Sequence, residues 1–153
     1  RANDTAYVEL EELLACADVI SVNASLNDTT RGLLDGKMLS RMKKGSILVN
    51  TARGGIVDEA ALATALRAGP IRAAGIDVFE HEPPVNSPLV GLPNVVLTPH
   101  IAAYTDEATA AANLLAATTV AGYSEGRLPD PDCIVVAPMR DAGYRAAPGR
   151  PIS

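Results

Sequence analysis

The chain has 153 residues, of which 48% are hydrophobic, so it can bury one ordinary globular core. Its net charge of −5 argues against a nucleic-acid protein, which needs basic surface to neutralise phosphates. No apolar run approaches the roughly 20 residues of a membrane span. Its two cysteines, Cys16 and Cys133, lack metal-ligand spacing. We therefore expect a cytoplasmic protein with reduced thiols and no membrane or metal partner.

Helical and strand patterns alternate along the chain. Leu10, Leu13 and Leu14 recur at helical spacing, whereas the β-branched run that follows is typical of a strand. Asp35 and Asp58 stand where an N-cap is expected. The predicted helices are residues 9–16, 36–43, 59–68 and 105–122. The predicted strands are residues 18–23, 46–50, 73–78 and 95–98.

This alternation predicts an α/β fold with a parallel sheet. In such sheets ligands bind beyond the carboxyl ends of the strands. Four polar residues, Asn23, Arg53, Asp77 and His100, fall at or just after the ends of the four predicted strands. We expect the functional site there.

Arg53 follows a strand and precedes Gly54 and Gly55, small residues that allow a ligand to approach the backbone. A guanidinium binds a carboxylate through two parallel hydrogen bonds and keeps its charge. The alternative is a surface arginine that pairs with Asp58.

His100 ends the run Thr98-Pro99-His100, and Glu82 lies in a loop rich in proline. Taken alone, the histidine could be structural and the glutamate part of a solvated turn. Together they suggest proton transfer, because a neighbouring carboxylate stabilises the imidazolium that acts as general acid.

Three blocks in unbroken order carry a family resemblance: residues 50–62, 75–83 and 94–101. They closely resemble the D-isomer-specific 2-hydroxyacid dehydrogenases, and the similarity extends over about residues 9–126. The resemblance implies part of a doubly wound parallel sheet, a Rossmann-type NAD-binding domain. It also implies NAD as the cofactor, with NADP as the alternative, and a homodimer.

The resemblance further implies a role for each matching residue. Arg53 would anchor the substrate carboxylate and polarise the carbonyl, His100 would exchange the proton, and Glu82 would orient and charge His100. Asp77 would accept a hydrogen bond from the nicotinamide carboxamide. The implied cofactor-binding set is Ala24, Thr51, Ala52, Arg53, Asp77, His100, Ala102 and Ala103.

The chain departs from the family pattern in two places. Asn23-Ala24 replaces the common His-Pro pair, and Ala102-Ala103 replaces two glycines. Tyr104, which follows, would either narrow the substrate pocket or pack under the last helix. Glu82 stands where formate dehydrogenases are expected to carry glutamine, which counts against formate.

No G-x-G-x-x-G phosphate-binding loop occurs in the sequence. If residues 18–23 are the third strand of the order 3-2-1-4-5-6, the sheet lacks its first two strands, which would lie between residues 18–23 and 46–51. We expect a partial dinucleotide-binding domain over residues 1–126. Residues 127–153 would form an irregular tail that returns toward an absent substrate domain. The parent polypeptide would have roughly 300–350 residues.

The preferred hypothesis is an oxidoreductase that transfers a hydride between a nicotinamide cofactor and a small D-2-hydroxy acid or 2-keto acid. Glyoxylate or hydroxypyruvate, D-lactate and phosphoglycerate remain open as substrates. The alternatives are an NADH-sensing, dimeric corepressor of the same family and an inactive fragment.

Overall fold

The computed structural model describes residues 6–127, which form four helices and four strands. In chain order they are α1 (Leu10–Cys16), β1 (Val19–Val22), α2 (Gly36–Ser40), β2 (Ile47–Asn50), α3 (Glu59–Ala68), β3 (Ala73–Ile76), β4 (Val95–Leu97) and α4 (Asp106–Ser124). Every predicted element is present, and α3 has the predicted bounds. The α/β fold class is therefore confirmed. The predicted tail from residue 128 onward lies outside the described residues.

Aspartates cap the two helices that precede and follow β2. The Asp35 carboxylate accepts a hydrogen bond from the Met38 amide, and that of Asp58 accepts one from the Ala61 amide, each at 2.9 Å. Such caps satisfy amides that the first helical turn leaves without a partner. Helix α2 ends at Ser40 rather than at the predicted residue 43, because the chain turns toward β2 through Gly45, whose φ is 85°.

The four strands are parallel and lie in the order β1-β2-β3-β4. Strand β1 pairs directly with β2, with Val19 opposite Ile47 and Val22 opposite Asn50. The prediction that two missing strands would separate β1 from β2 is therefore wrong. In the order 3-2-1-4-5-6, the third and fourth strands are not neighbours. Because β1 and β2 pair directly, residues 18–23 cannot be the third strand of that order with residues 46–50 as the fourth.

The core lies between the sheet and the helices α1 to α3. Along β2 and β3, buried residues alternate with partly buried ones, as expected when one strand face packs more tightly. The largest fully buried apolar side chains are those of Leu14, Leu39, Leu48, Ile56, Leu62, Leu89 and Val78. This core fixes the strand ends that carry the predicted site.

The fold divides into two compact units after Ala102. The first unit contains all four strands and α1 to α3. The second contains α4, which Thr105 caps through the Ala108 amide at 3.1 Å. The Tyr104 side chain in this unit is 78% exposed, so the prediction that it packs under the last helix is wrong. Among the described residues, no helix has the length and apolar character needed to cross a membrane.

Candidate functional site

A buried amide shapes the turn that follows β2. Asn50 is only 2% exposed, and its Nδ2 donates to the Arg53 carbonyl at 3.1 Å. Its Oδ1 accepts from the Ala52 amide at the same distance. Because both ends of this amide are bonded to the turn, Asn50 fixes the backbone that carries Thr51, Ala52 and Arg53.

Arg53 lies in an open cleft of about 570 Å³ at the carboxyl ends of β1 and β2. Its Nη1 donates to the Ala52 carbonyl at 2.6 Å, which uses one of the five guanidinium N–H donors. The alternative pairing with Asp58 is wrong, because among the described residues Arg53 forms no ion pair with that carboxylate, which caps α3. The cleft is lined by Asn23, Ala24, Ser25, Leu26, Thr51, Ala52 and Arg53.

Gly54 brings this turn into backbone contact with the segment that follows β3. A Cβ atom on Gly54 would lie 1.9 Å from the Phe79 carbonyl oxygen and 2.6 Å from the Glu80 nitrogen. Only glycine fits such an approach. The chain that carries Arg53 is therefore set directly against the chain that leads to Glu82.

Glu82 and His100 form the predicted pair. The His100 Nδ1 lies 3.0 Å from Glu82 Oε2 and 3.2 Å from Oε1, and the Phe79 amide donates to Oε1 at 3.1 Å. The hydrogen bond from His100, followed by that from the Phe79 amide, lowers the pKa of Glu82 below its ordinary value. An ionised carboxylate only accepts hydrogen bonds, so Nδ1 carries the hydrogen. Nε2 is then the ring nitrogen available to a substrate.

The Asp77 carboxylate holds the turn on which His100 lies. Its Oδ1 accepts from the Thr98 hydroxyl at 2.5 Å and from the Ile101 amide at 2.9 Å, and its Oδ2 accepts from the Ala102 amide at 3.0 Å. Burial opposes the ionisation of Asp77, but these hydrogen bonds and the nearby His100 together outweigh it and lower the pKa of Asp77.

His100 itself has a φ of 56°, in the left-handed region that residues other than glycine rarely adopt. Its amide donates to the Asp77 carbonyl at 2.9 Å. Strained backbone of this kind persists where its surroundings hold it, and here the bonds around Asp77 do so. They fix the imidazole at the end of β4.

The structure thus brings only some of the predicted site residues into direct contact. Glu82 and His100 are in direct contact, whereas within residues 6–127 neither forms a hydrogen bond or ion pair with Arg53. Arg53 shares its cleft with Ala24, Thr51 and Ala52. Ala102 is bonded to Asp77 through its amide, and Ala103 begins the second unit.

Sequence reasoning missed residues that hold the site in place through hydrogen bonds but have no predicted contact with a ligand. Asn50 and Thr98 were read only as parts of strands, and Glu59 only as part of a helix. For Asn50 a signal was present, because a polar residue that ends an apolar run must find hydrogen-bond partners when buried.

Within the described part of the chain, no group of three or more His, Cys, Asp or Glu residues could hold a metal.

Comparison with known proteins gives a family match and several similar relatives. Residues 1–102 match the family described as D-isomer specific 2-hydroxyacid dehydrogenase, NAD binding domain, which confirms the predicted cofactor class. The chain is 48% identical over 104 residues to 4-methyl-2-oxopentanoate reductase A of Aspergillus oryzae, covering 68% of this chain and 32% of the relative. It is 54% identical over 101 residues to the D-3-phosphoglycerate dehydrogenase of Mycobacterium bovis, covering 66% and 19% respectively.

A solved structure of similar fold is the D-lactate dehydrogenase of Aquifex aeolicus complexed with NAD and lactic acid. It superposes with a TM-score of 0.72 at 33% identity, over 79% of this chain and 41% of that one. The chain thus spans about a third or less of the two curated relatives and less than half of the solved one. On these matches, the chain belongs to the D-isomer specific 2-hydroxyacid dehydrogenase family, whose NAD binding domain its residues 1–102 match.

Proposed function

We propose that the protein to which this chain belongs is an NAD(P)-dependent oxidoreductase that interconverts a small 2-keto acid and the corresponding D-2-hydroxy acid. The observation that carries the proposal is the ionised Glu82 held against Nδ1 of His100, which leaves Nε2 for the substrate. A carboxylate–imidazole pair at a strand end is suited to proton exchange with a reacting oxygen.

The residues present fit a nicotinamide cofactor. The cleft beside Arg53 is lined by small side chains, including Ala24, Thr51 and Ala52, which allow a ring and a ribose to approach the backbone. The family resemblance implies that Ala102 and Ala103 also contact the cofactor. The Asp77 Oδ2 accepts one hydrogen bond in the structure and retains an acceptor position for a carboxamide. When bound, the nicotinamide supplies or accepts the hydride.

The chain's own residues would handle the charge and the proton. The guanidinium of Arg53 would bind the substrate carboxylate and polarise the adjacent carbonyl. During reduction, Nε2 of His100 would donate its proton to the carbonyl oxygen, and during oxidation it would take the proton back. Glu82 would stabilise the imidazolium before the proton leaves.

A single assay on the complete protein tests this proposal. We expect oxidation of NADH or NADPH with at least one member of a panel containing glyoxylate, pyruvate, 4-methyl-2-oxopentanoate and 3-phosphohydroxypyruvate. Arg53→Ala should raise KM strongly and lower kcat, because the carboxylate loses its partner. Arg72→Ala is the matched control, because Arg72 precedes β3 and bonds the Gly45 carbonyl near the amino end of the sheet.

The outcome that contradicts the proposal is full turnover in Arg53→Ala, or no turnover with any keto acid although the nicotinamide binds. The second result would favour the NADH-sensing corepressor. No contact among the described residues supports that alternative. The names of the relatives, a reductase and two dehydrogenases, instead support the enzyme.

We also propose that the complete protein is a cytoplasmic homodimer. The exposed apolar side chains of α4, namely Leu114, Leu115 and Val120, support an interface. The exposed free thiol of Cys16 supports a reducing compartment. Sedimentation of the complete protein should return twice the monomer mass, and a monomer would refute the dimer.

A further inference from the structure

Glu59, in the first turn of α3, bonds a loop rather than its own helix. Its Oε1 accepts from the Glu80 amide at 2.8 Å, and its Oε2 accepts from the Ser87 hydroxyl. The capping of α3 is performed by the neighbouring Asp58. Both oxygens of the half-buried Glu59 are therefore used to hold two points of the segment 80–87.

Glu82 lies between those two points. Phe79, whose amide donates to Glu82 Oε1, directly precedes the anchored Glu80. The same stretch of backbone packs on Gly54, next to Arg53. Helix α3 follows that turn in the chain, so Glu59 ties the segment that bears the carboxylate to the element that bears the guanidinium.

We propose that Glu59 is a positioning residue, which fixes the loop 80–87 so that the Glu82 carboxylate meets Nδ1 of His100. The expected effect on turnover rests on the proposed function. The expected effect on the position of Glu82 rests on the contacts alone. Acidic residues in a first helical turn also stabilise a helix through their interaction with the helix dipole. That general effect requires no contact with the loop, whereas here both oxygens are engaged by it.

Glu59→Ala removes the acceptor of the Glu80 amide and of the Ser87 hydroxyl. We expect kcat to fall by roughly 10- to 100-fold, the size of effect that follows from a displacement of about 1 Å at a catalytic group. KM should change little, because Arg53 keeps its own contacts. Glu59→Gln should recover most of kcat, because its carbonyl oxygen accepts from the amide while its NH₂ group donates to the hydroxyl oxygen.

Asp58→Ala is the matched control. It removes the same charge at the adjacent position and weakens α3, but its side chain accepts from the Ala61 amide and not from the loop. We expect a lower melting temperature with kcat close to the wild-type value. If Asp58→Ala lowers kcat as much as Glu59→Ala, stability of α3 explains the effect and the proposal fails.

A second readout does not depend on turnover. The pKa of Glu82, measured by NMR titration of the complete protein, should rise toward its ordinary value in Glu59→Ala, because the bonds from His100 and Phe79 loosen. The other charges that act on Glu82 are His100 and Asp77, which all the variants retain. The pKa should stay low in Glu59→Gln and in Asp58→Ala.

An unchanged pKa of Glu82 in Glu59→Ala overturns the inference, as does a Glu59→Gln variant as impaired as Glu59→Ala. If the wild-type protein turns over no keto acid, the proposed function fails, and the titration still decides whether Glu59 positions Glu82.

Discussion

Replacing Gly54 by alanine tests whether the backbone contact between two loops sets the site. The added Cβ would lie 1.9 Å from the Phe79 oxygen, 2.1 Å from its carbonyl carbon and 2.6 Å from the Glu80 nitrogen. All three atoms belong to the backbone, so no flexible side chain can move aside. The two segments must separate by at least about 1 Å to reach the shortest distance that real Cβ contacts show.

This separation has two measurable consequences. Overpacking a close contact costs about 1–3 kcal/mol, and we expect the upper end because only backbone can yield. A displacement of about 1 Å at catalytic groups costs about 100-fold in rate. Urea unfolding and kcat/KM of the complete protein measure the two effects separately.

Gly55→Ala is the matched control in the same turn. Its Cβ would meet only side-chain atoms, the nearest being Arg31 Nη1 at 3.5 Å, an ordinary contact. Its φ of 78° makes alanine cost about 1–2 kcal/mol without forcing the loops apart. If Gly54→Ala retains wild-type kcat/KM, or loses no more than Gly55→Ala, the contact does not set the site.

Three further predictions follow from single residues. His100→Asn should keep the left-handed turn, which asparagine tolerates, yet lower turnover by about 100- to 10,000-fold. Asp35→Ala should lower the free energy of unfolding by about 1 kcal/mol in urea, because the Met38 amide loses its cap. The pKa values of Asp77 and Glu82 are lowered by folding, so they stabilise the protein above their unfolded pKa values of about 4. Unfolding measured against pH should show this contribution lost as pH falls through the folded pKa values, and Asp77→Asn should flatten the slope.

The sequence predicted the elements well where local chemistry decides them. Asp58 was predicted as the N-cap of a helix over residues 59–68, and α3 has those bounds in the structure. The neighbour relations of strands were harder, because they depend on long-range pairing. Residues 18–23 were predicted to be the third strand, separated from residues 46–51 by two missing strands, and the direct pairing of Val19 with Ile47 shows that this prediction is wrong.

The site shows the same division between local and long-range information. The Glu82–His100 contact followed from family resemblance and is present. Glu59 gave no sign of its role, because a glutamate in a first helical turn usually faces water and its partners Glu80 and Ser87 are more than 20 residues away. Gly54 was read as room for a ligand, whereas the nearest atoms belong to the protein backbone.

Asp77 illustrates why a cofactor contact must be separated from a structural one. Three of the hydrogen bonds that its carboxylate accepts come from Thr98, Ile101 and Ala102, which hold the turn bearing His100. Asp77→Asn would leave at least one of these three donors without its acceptor and would disturb that turn even if no carboxamide ever touched Oδ2. Thr98→Val also removes a turn bond but leaves Oδ2 intact. NADH binding weakened far more by Asp77→Asn than by Thr98→Val would support the carboxamide contact, whereas equal losses would mean that Asp77 acts only through the turn.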